Sequence, residues 1–155
     1  MLEWARRADA AGFSALATLD RPIYSNWEPL VALGAGAAAT ERIGLMTAVL
    51  LLPYRQNAAV VAKQAATQHV LSGGRLTLGV GTGSREEDYT AFGLSATSTR
   101  SRASTPPAWW PEPPSVRTPF RKRLDLFRDA GADEVVMFAA SADPEQVDLL
   151  ARAAL

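Results

Sequence analysis

RIGLMTAVLLLPYRQNAAVVAKQAATQHVLSGGRLTLGVGTG, residues 42–83, decides the fold of this chain. An apolar run over 43–52 ends at Pro53, and an Ala-rich helical pattern follows from Ala58 to Leu71. Ser72-Gly73-Gly74 breaks that helix, and a second apolar run over 75–80 closes on Gly81-Thr82-Gly83. Strand, crossover helix and strand in this order make one βαβ unit, which requires a parallel pair. In such folds the chemistry collects where the chain leaves the C-terminal ends of the strands. The exits at 48–53 and 81–85 are therefore the places to look for function.

Working outward, the pattern repeats on the N-terminal side. Residues 2–11 read as a helix stopped by Gly12, and 14–19 as a short apolar strand leaving into Asp20-Arg21-Pro22. Ser25 or Asn26 can cap a helix to about Thr40, with Glu28 near its positive end and Pro29 in its first turn. On the C-terminal side the pattern stops after Phe92-Gly93. Residues 95–119 hold six of the ten prolines around Trp109-Trp110, and no helix or central strand survives that density. Order returns with a helix over 121–130, a strand over 134–139 and a last helix capped by Asp143, with Pro144 at its first position. The organisation expected is βα units over 1–94, a Pro-rich linker over 95–119 and an αβα segment over 120–155.

Composition narrows the classes. The 155 residues suffice for one domain with a sizeable core, and the formal net charge is zero. A chain without net charge has no field to draw nucleic acid or an anionic membrane, and poor colloidal solubility is the expected consequence. There is no Cys and one His, so disulfides, thiolate metal sites and His-rich metal sites are excluded. No signal-peptide core opens the chain, and no apolar run nears the ~20 residues of a membrane helix. A soluble cytoplasmic protein is expected.

Several blocks together resemble one family. They are Ala11-Gly12-Phe13, Asn26-Trp27-Glu28-Pro29-Leu30, Thr40-Glu41-Arg42-Ile43, AKQAAT over 62–67, LSGGRL over 71–76 and GVGTG over 79–83. AGADEVV and SADPEQVDLL in the last segment match as well. The chain resembles the bacterial luciferase-like superfamily, in its deazaflavin (coenzyme F420)-dependent oxidoreductase branch. That resemblance implies an α/β fold of (β/α)₈ TIM-barrel type, which ordinarily takes about 250 residues. This chain starts in what matches the first helix and passes from the fourth strand region to the seventh helix. An incomplete barrel of about four to five parallel strands with crossover helices is therefore expected. The composition of 101–119 is what a shifted frame of a GC-rich gene would encode, which the nucleotide sequence tests.

The resemblance also assigns candidate residues. Asp20 and Arg21 fall where the family places a polar pair near the reactive face of the cofactor, although an exposed Asp-Arg-Pro turn explains the same letters. Thr47, Ala48 and Val49 fall on the family's bulge behind the flavin ring, with a non-prolyl cis bond at Ala48–Val49. A buried apolar strand is the plain alternative. Gly81, Thr82 and Gly83 match the loop that lines the cofactor pocket. Read alone, that loop is a weak motif, since it lacks the Gly-Lys-Ser/Thr of a triphosphate loop and the G-x-G-x-x-G spacing. Ser84 stands where some relatives hold an acidic catalytic residue. Arg85-Glu86-Glu87-Asp88 reads as a solvated helix start. His69 reads as a surface or packing residue, and no metal set or Ser-His-Asp set assembles. The implied cofactor is FMN or coenzyme F420, and the implied activity is oxidoreduction or monooxygenation of a small organic substrate. A non-catalytic remnant, or a half-barrel completed as a homodimer, is the competing expectation, because an open parallel sheet leaves edges and an apolar face uncovered.

Overall fold

A computed structural model describes residues 1–83, 85–94, 120–129, 131, 133–135 and 143–154. The chain divides into two compact units, Met1–Arg100 and Ser101–Leu155. In the first, α1 (Leu2–Ala11), β1 (Ala15–Thr18), α2 (Pro29–Ala39), β2 (Gly44–Leu51), α3 (Ala58–Leu71), β3 (Leu76–Gly81) and α4 (Glu86–Ala91) follow in order. A 3-10 turn at Leu52–Tyr54 separates β2 from α3. The second unit contains α5 (Phe120–Asp129) and α6 (Glu145–Ala154). Asp143 opens α6, as its composition suggests, with Oδ1 accepting from the Glu145 amide at 3.0 Å.

The strands form one parallel sheet in the order β1-β2-β3. This is the α/β architecture expected of a barrel segment, with three strands among the described residues. Positions 136–139 of the further strand expected at 134–139 lie outside them, as do Ser84 and Trp109-Trp110. Register places Leu16, Leu45 and Leu76 in one row across the sheet. That row packs under Leu33 and Ala37 of α2 and forms the first core cluster. Leu30, Leu50 and Val61 form a second, where α2 and α3 meet over β2. Strand alternation puts Ala17, Met46 and Thr77 on the opposite face.

Two connections are built by single polar side chains. Asp9, at the end of α1, accepts from the Glu41 and Ile43 amides at 3.0 and 2.8 Å, which fixes the turn into β2. These amide bonds hold its carboxyl below the usual carboxylate range, with partial burial opposing them and the Arg42 charge assisting. Arg75, just before β3, donates to the carbonyls of Ala37, Thr40, Ile43 and Ser72 and to Thr40 Oγ1. One guanidinium thus satisfies the open end of α2 and joins it to β3.

The start of α2 differs from the sequence expectation. Its cap is Glu28, whose Oε2 accepts from the Val31 amide at 2.7 Å, with Pro29 as the first helical residue. Asn26 instead donates to the Leu19 carbonyl at 2.9 Å and braces the loop before the helix. The reason is geometric: Pro29 suits the first helical position, so the residue before it becomes the cap.

Candidate functional site

The three strand exits lie side by side, and specific contacts tie them into one rim. Asp20, just beyond β1, is buried, and its Oδ2 accepts from the Leu51 amide at the end of β2 at 2.9 Å. Leu51 in turn pairs with Gly81 at the end of β3. Arg55, past the 3-10 turn, donates to the same Asp20 oxygen from Nε and Nη2 at 3.3 and 3.1 Å. Its Nη2 also stands 2.9 Å from Glu28 Oε1. Arg55 is thus held between two carboxylates, one from the β1 exit and one from the cap of α2.

Along β2 the peptide Ala48–Val49 is cis, at the bond the family resemblance implies. The pairing of β2 with β3 shifts register between Thr47 and Leu50 at this point. Thr47 is fully buried, and its hydroxyl donates to the Gly79 carbonyl at 2.7 Å. A side chain at Gly79 would stand 2.3 Å from the Thr47 carbonyl oxygen, and one at Gly81 would stand 2.7 Å from Val49 Cγ2. The glycines of β3 therefore let the two strands close over the irregular stretch. Gly83 has a φ of +74°, which glycine adopts without strain.

Arg21 points the other way, toward α4. Its Nη1 lies 3.1 Å from Asp88 Oδ2, and the Asp88 carboxylate is completely buried. Neither oxygen of Asp88 has a hydrogen bond among the described residues, so the guanidinium is what neutralises it. This corrects the reading of 85–88 as a solvated helix start: only its first residues are exposed. Arg85, Glu86 and Glu87 are exposed, whereas Asp88 is buried although it lies in the same first turn. Arg85 donates to the Tyr24 hydroxyl, and the Arg21 and Arg85 guanidiniums lie 5.4 and 5.6 Å from the Tyr24 ring.

Between the β1 exit, the start of α2 and the 3-10 turn lies a cleft of about 350 Å³. Its charged lining is Asp20, Arg21, Glu28 and Arg55. Its aromatic walls are Trp27, Tyr54 and Phe92, with Trp27 71% exposed at the mouth. Tyr54 stacks on Phe92 at 4.9 Å and meets Tyr89 edge-on at 5.1 Å. Burial, with the Asp88 charge and Tyr89 beside it, pushes the Tyr54 phenol up to about 12, so it stays neutral at physiological pH.

Of the residues singled out from sequence, Asp20 and Arg21 line this cleft. Thr47, Ala48, Val49, Gly81, Thr82 and Gly83 are not in its lining and lie beside it along β2 and β3. Thr82 offers its carbonyl to the Tyr89 hydroxyl. Arg55, Glu28 and Asp88 were missed as site residues, and for Arg55 the signal was present: a lone basic residue two positions past the strand-ending Pro53. His69 is exposed near the end of α3, away from the exits. Among the described residues there is no metal-binding cluster, and no helix is long and apolar enough to cross a membrane.

A three-stranded parallel βα array with its polar residues gathered at the strand exits is an α/β fold of the kind a segment of a (β/α)₈ barrel forms. Residues 1–155 match the family described as luciferase-like monooxygenase, and the chain belongs to that family. It is 30% identical over 145 residues to an F420-dependent glucose-6-phosphate dehydrogenase of Amycolatopsis mediterranei, a match spanning 89% of this chain and 39% of that protein. The chain thus corresponds to about two fifths of that relative's length. Among solved structures it is similar to the coenzyme F420-dependent tetrahydromethanopterin reductase of Methanopyrus kandleri. The TM-score is 0.54 and the identity 26%, over 61% of this chain and 26% of that one. It also shares the fold of the oxygenating constituent of 3,6-diketocamphane monooxygenase from Pseudomonas putida, solved with FMN. There the TM-score is 0.58 and the identity 22%, over 63% of this chain and 27% of that one.

Proposed function

We propose that this chain carries the strand-exit portion of a luciferase-like oxidoreductase that uses FMN or coenzyme F420 against a small organic substrate. The observation that supports this reading most is the continuous rim from Asp20 through Leu51 to Gly81, with a cleft opening beside it. In barrels of this class the active site occupies that end of the strands. The F420-dependent and FMN-bound relatives support the choice of cofactor.

The residues suit the ring end of such a cofactor. Thr47, Ala48 and Val49 would back the ring, and Gly81, Thr82 and Gly83 would line its edge, glycine being required at 81 and 83 because Val49, Leu51 and Tyr54 already pack where a side chain would stand. Among the described residues the cleft does not provide for the phosphate end, since both of its guanidiniums are already paired with carboxylates. A second copy of the chain, forming a homodimer, is our proposal for what completes the site. When bound, the reduced cofactor supplies hydride or, with FMN, activates oxygen, and the protein supplies orientation. Asp20 holds Arg55 at the cleft, Arg21 supplies a second fixed cation, and Trp27, Tyr54 and Phe92 offer apolar surface to the substrate.

Titration of the full chain with oxidised and reduced FMN and with F420, followed by fluorescence and by sedimentation, tests this. Saturable binding to a defined oligomer is expected. Failure of every form to bind at high micromolar concentration would refute the cofactor reading and favour a non-catalytic remnant.

A further inference from the structure

The cleft has an unusual charge arrangement for a relative of sugar-phosphate enzymes. It presents two cations and two anions, and a third anion, Asp88, is ion-paired to one of those cations, Arg21. Arg55 is shared by Asp20 and Glu28. Arg21 is bound to the fully buried Asp88, which lacks any other neutralising partner among the described residues. A phosphate entering here would meet the Asp20 and Glu28 carboxylates. To claim Arg21 it would have to draw that guanidinium from Asp88, leaving a buried charge unpaired, which is strongly unfavourable.

What the cleft does offer is acceptor oxygen and aromatic surface. The Glu28 side chain is 43% exposed and carries carboxylate lone pairs beyond its cap and its ion pair. The Trp27 indole is open at the mouth, with Phe92 also exposed. Acceptors beside aromatic faces suit a ring that donates hydrogen bonds from hydroxyl groups and carries no charge.

We propose that the cleft takes an uncharged, hydroxyl-bearing ring compound and discriminates against the corresponding phosphate ester. This rests on the reading of the cleft as the substrate side of the site. It separates this chain from relatives named for glucose 6-phosphate.

Two matched pairs test it on the full chain: glucose against glucose 6-phosphate, and benzyl alcohol against benzyl phosphate. Binding is read from the Trp27 indole N–H resonance, assigned with Trp27→Phe. The neutral member of a pair should bind at least about tenfold more tightly than its phosphate, as like-charge juxtaposition predicts. Glu28→Gln removes one of the two acids on Arg55 and should narrow that ratio. Equal or tighter binding of the phosphates to the unaltered chain would overturn the proposal. So would an unchanged ratio in Glu28→Gln whose thermal unfolding matches the parent. If no compound moves the Trp27 signal while FMN or F420 still binds, this inference fails and the cofactor reading stands. If neither ligand nor cofactor binds, both fall.

Discussion

Asp9 and Asp88 show how far the role of a carboxylate depends on what surrounds it. Asp9 is a connector whose two amide bonds form only in the folded chain. Its lowered pKa means that the stability it contributes is present above the ordinary Asp value and is lost as pH falls through the folded value. Asp9→Asn should cost about 1–2 kcal/mol at pH 7. Urea unfolding at pH 7 and again near pH 3 should show the gap from the parent shrinking in acid; a constant gap would mean that the carboxylate is not the source. Asp88 is held by charge alone. Arg21→Met strands it, and a loss of about 3–5 kcal/mol is expected. Adding Asp88→Asn to Arg21→Met should restore much of that loss, a recovery that a double-mutant cycle by urea unfolding would measure.

The β2–β3 pair and the α2–β3 joint carry the packing that a strand-and-helix reading leaves out. Gly79→Ala would drive a methyl into the Thr47 carbonyl, and overpacking of this kind costs about 1–3 kcal/mol. Arg75→Lys should destabilise nearly as much as Arg75→Ala, because a point ammonium cannot reproduce a fork that reaches four carbonyls and a hydroxyl. Thermal unfolding of the two variants side by side decides it. In the first unit the helices and strands were legible, because apolar runs between Gly and Pro stops leave little freedom: α1 and α3 fall on their expected bounds. The cap of α2 was misplaced because Ser25 and Asn26 are better caps than Glu28 by residue type, and Pro29 overrode type with geometry. Asp20 and Arg21, assigned by the family resemblance, line the cleft. The pairing of Arg55 with Asp20 and of Asp88 with Arg21 was not legible, because ion pairs between residues 35 and 67 positions apart leave no periodic trace, although Arg55 by itself stands out as a basic residue just past Pro53.

At the scale of the molecule, the consequence is exposure. Val60, Val70 and Leu71 of α3 are half or more exposed, and β3 presents Leu78 and Val80 to solvent. Apolar surface of this kind, on a chain of zero net charge, predicts self-association. Sedimentation should show mean mass rising with concentration. Leu71→Lys, which adds charge at the end of α3 where a cation is favourable, should reduce that rise with little effect on unfolding temperature. A mass independent of concentration in both proteins would contradict this view. The bridge from Asp20 to Leu51, Arg55 and Glu28 has a different consequence, in heredity. These positions lie in three separate segments yet share a single carboxylate–guanidinium knot, so a change at one is harmful until another follows. Lineages that alter what this cleft accepts should exchange positions 20, 28 and 55 as a set. A mutant library that varies them together should yield more folded, re-specified variants than three libraries that vary each alone.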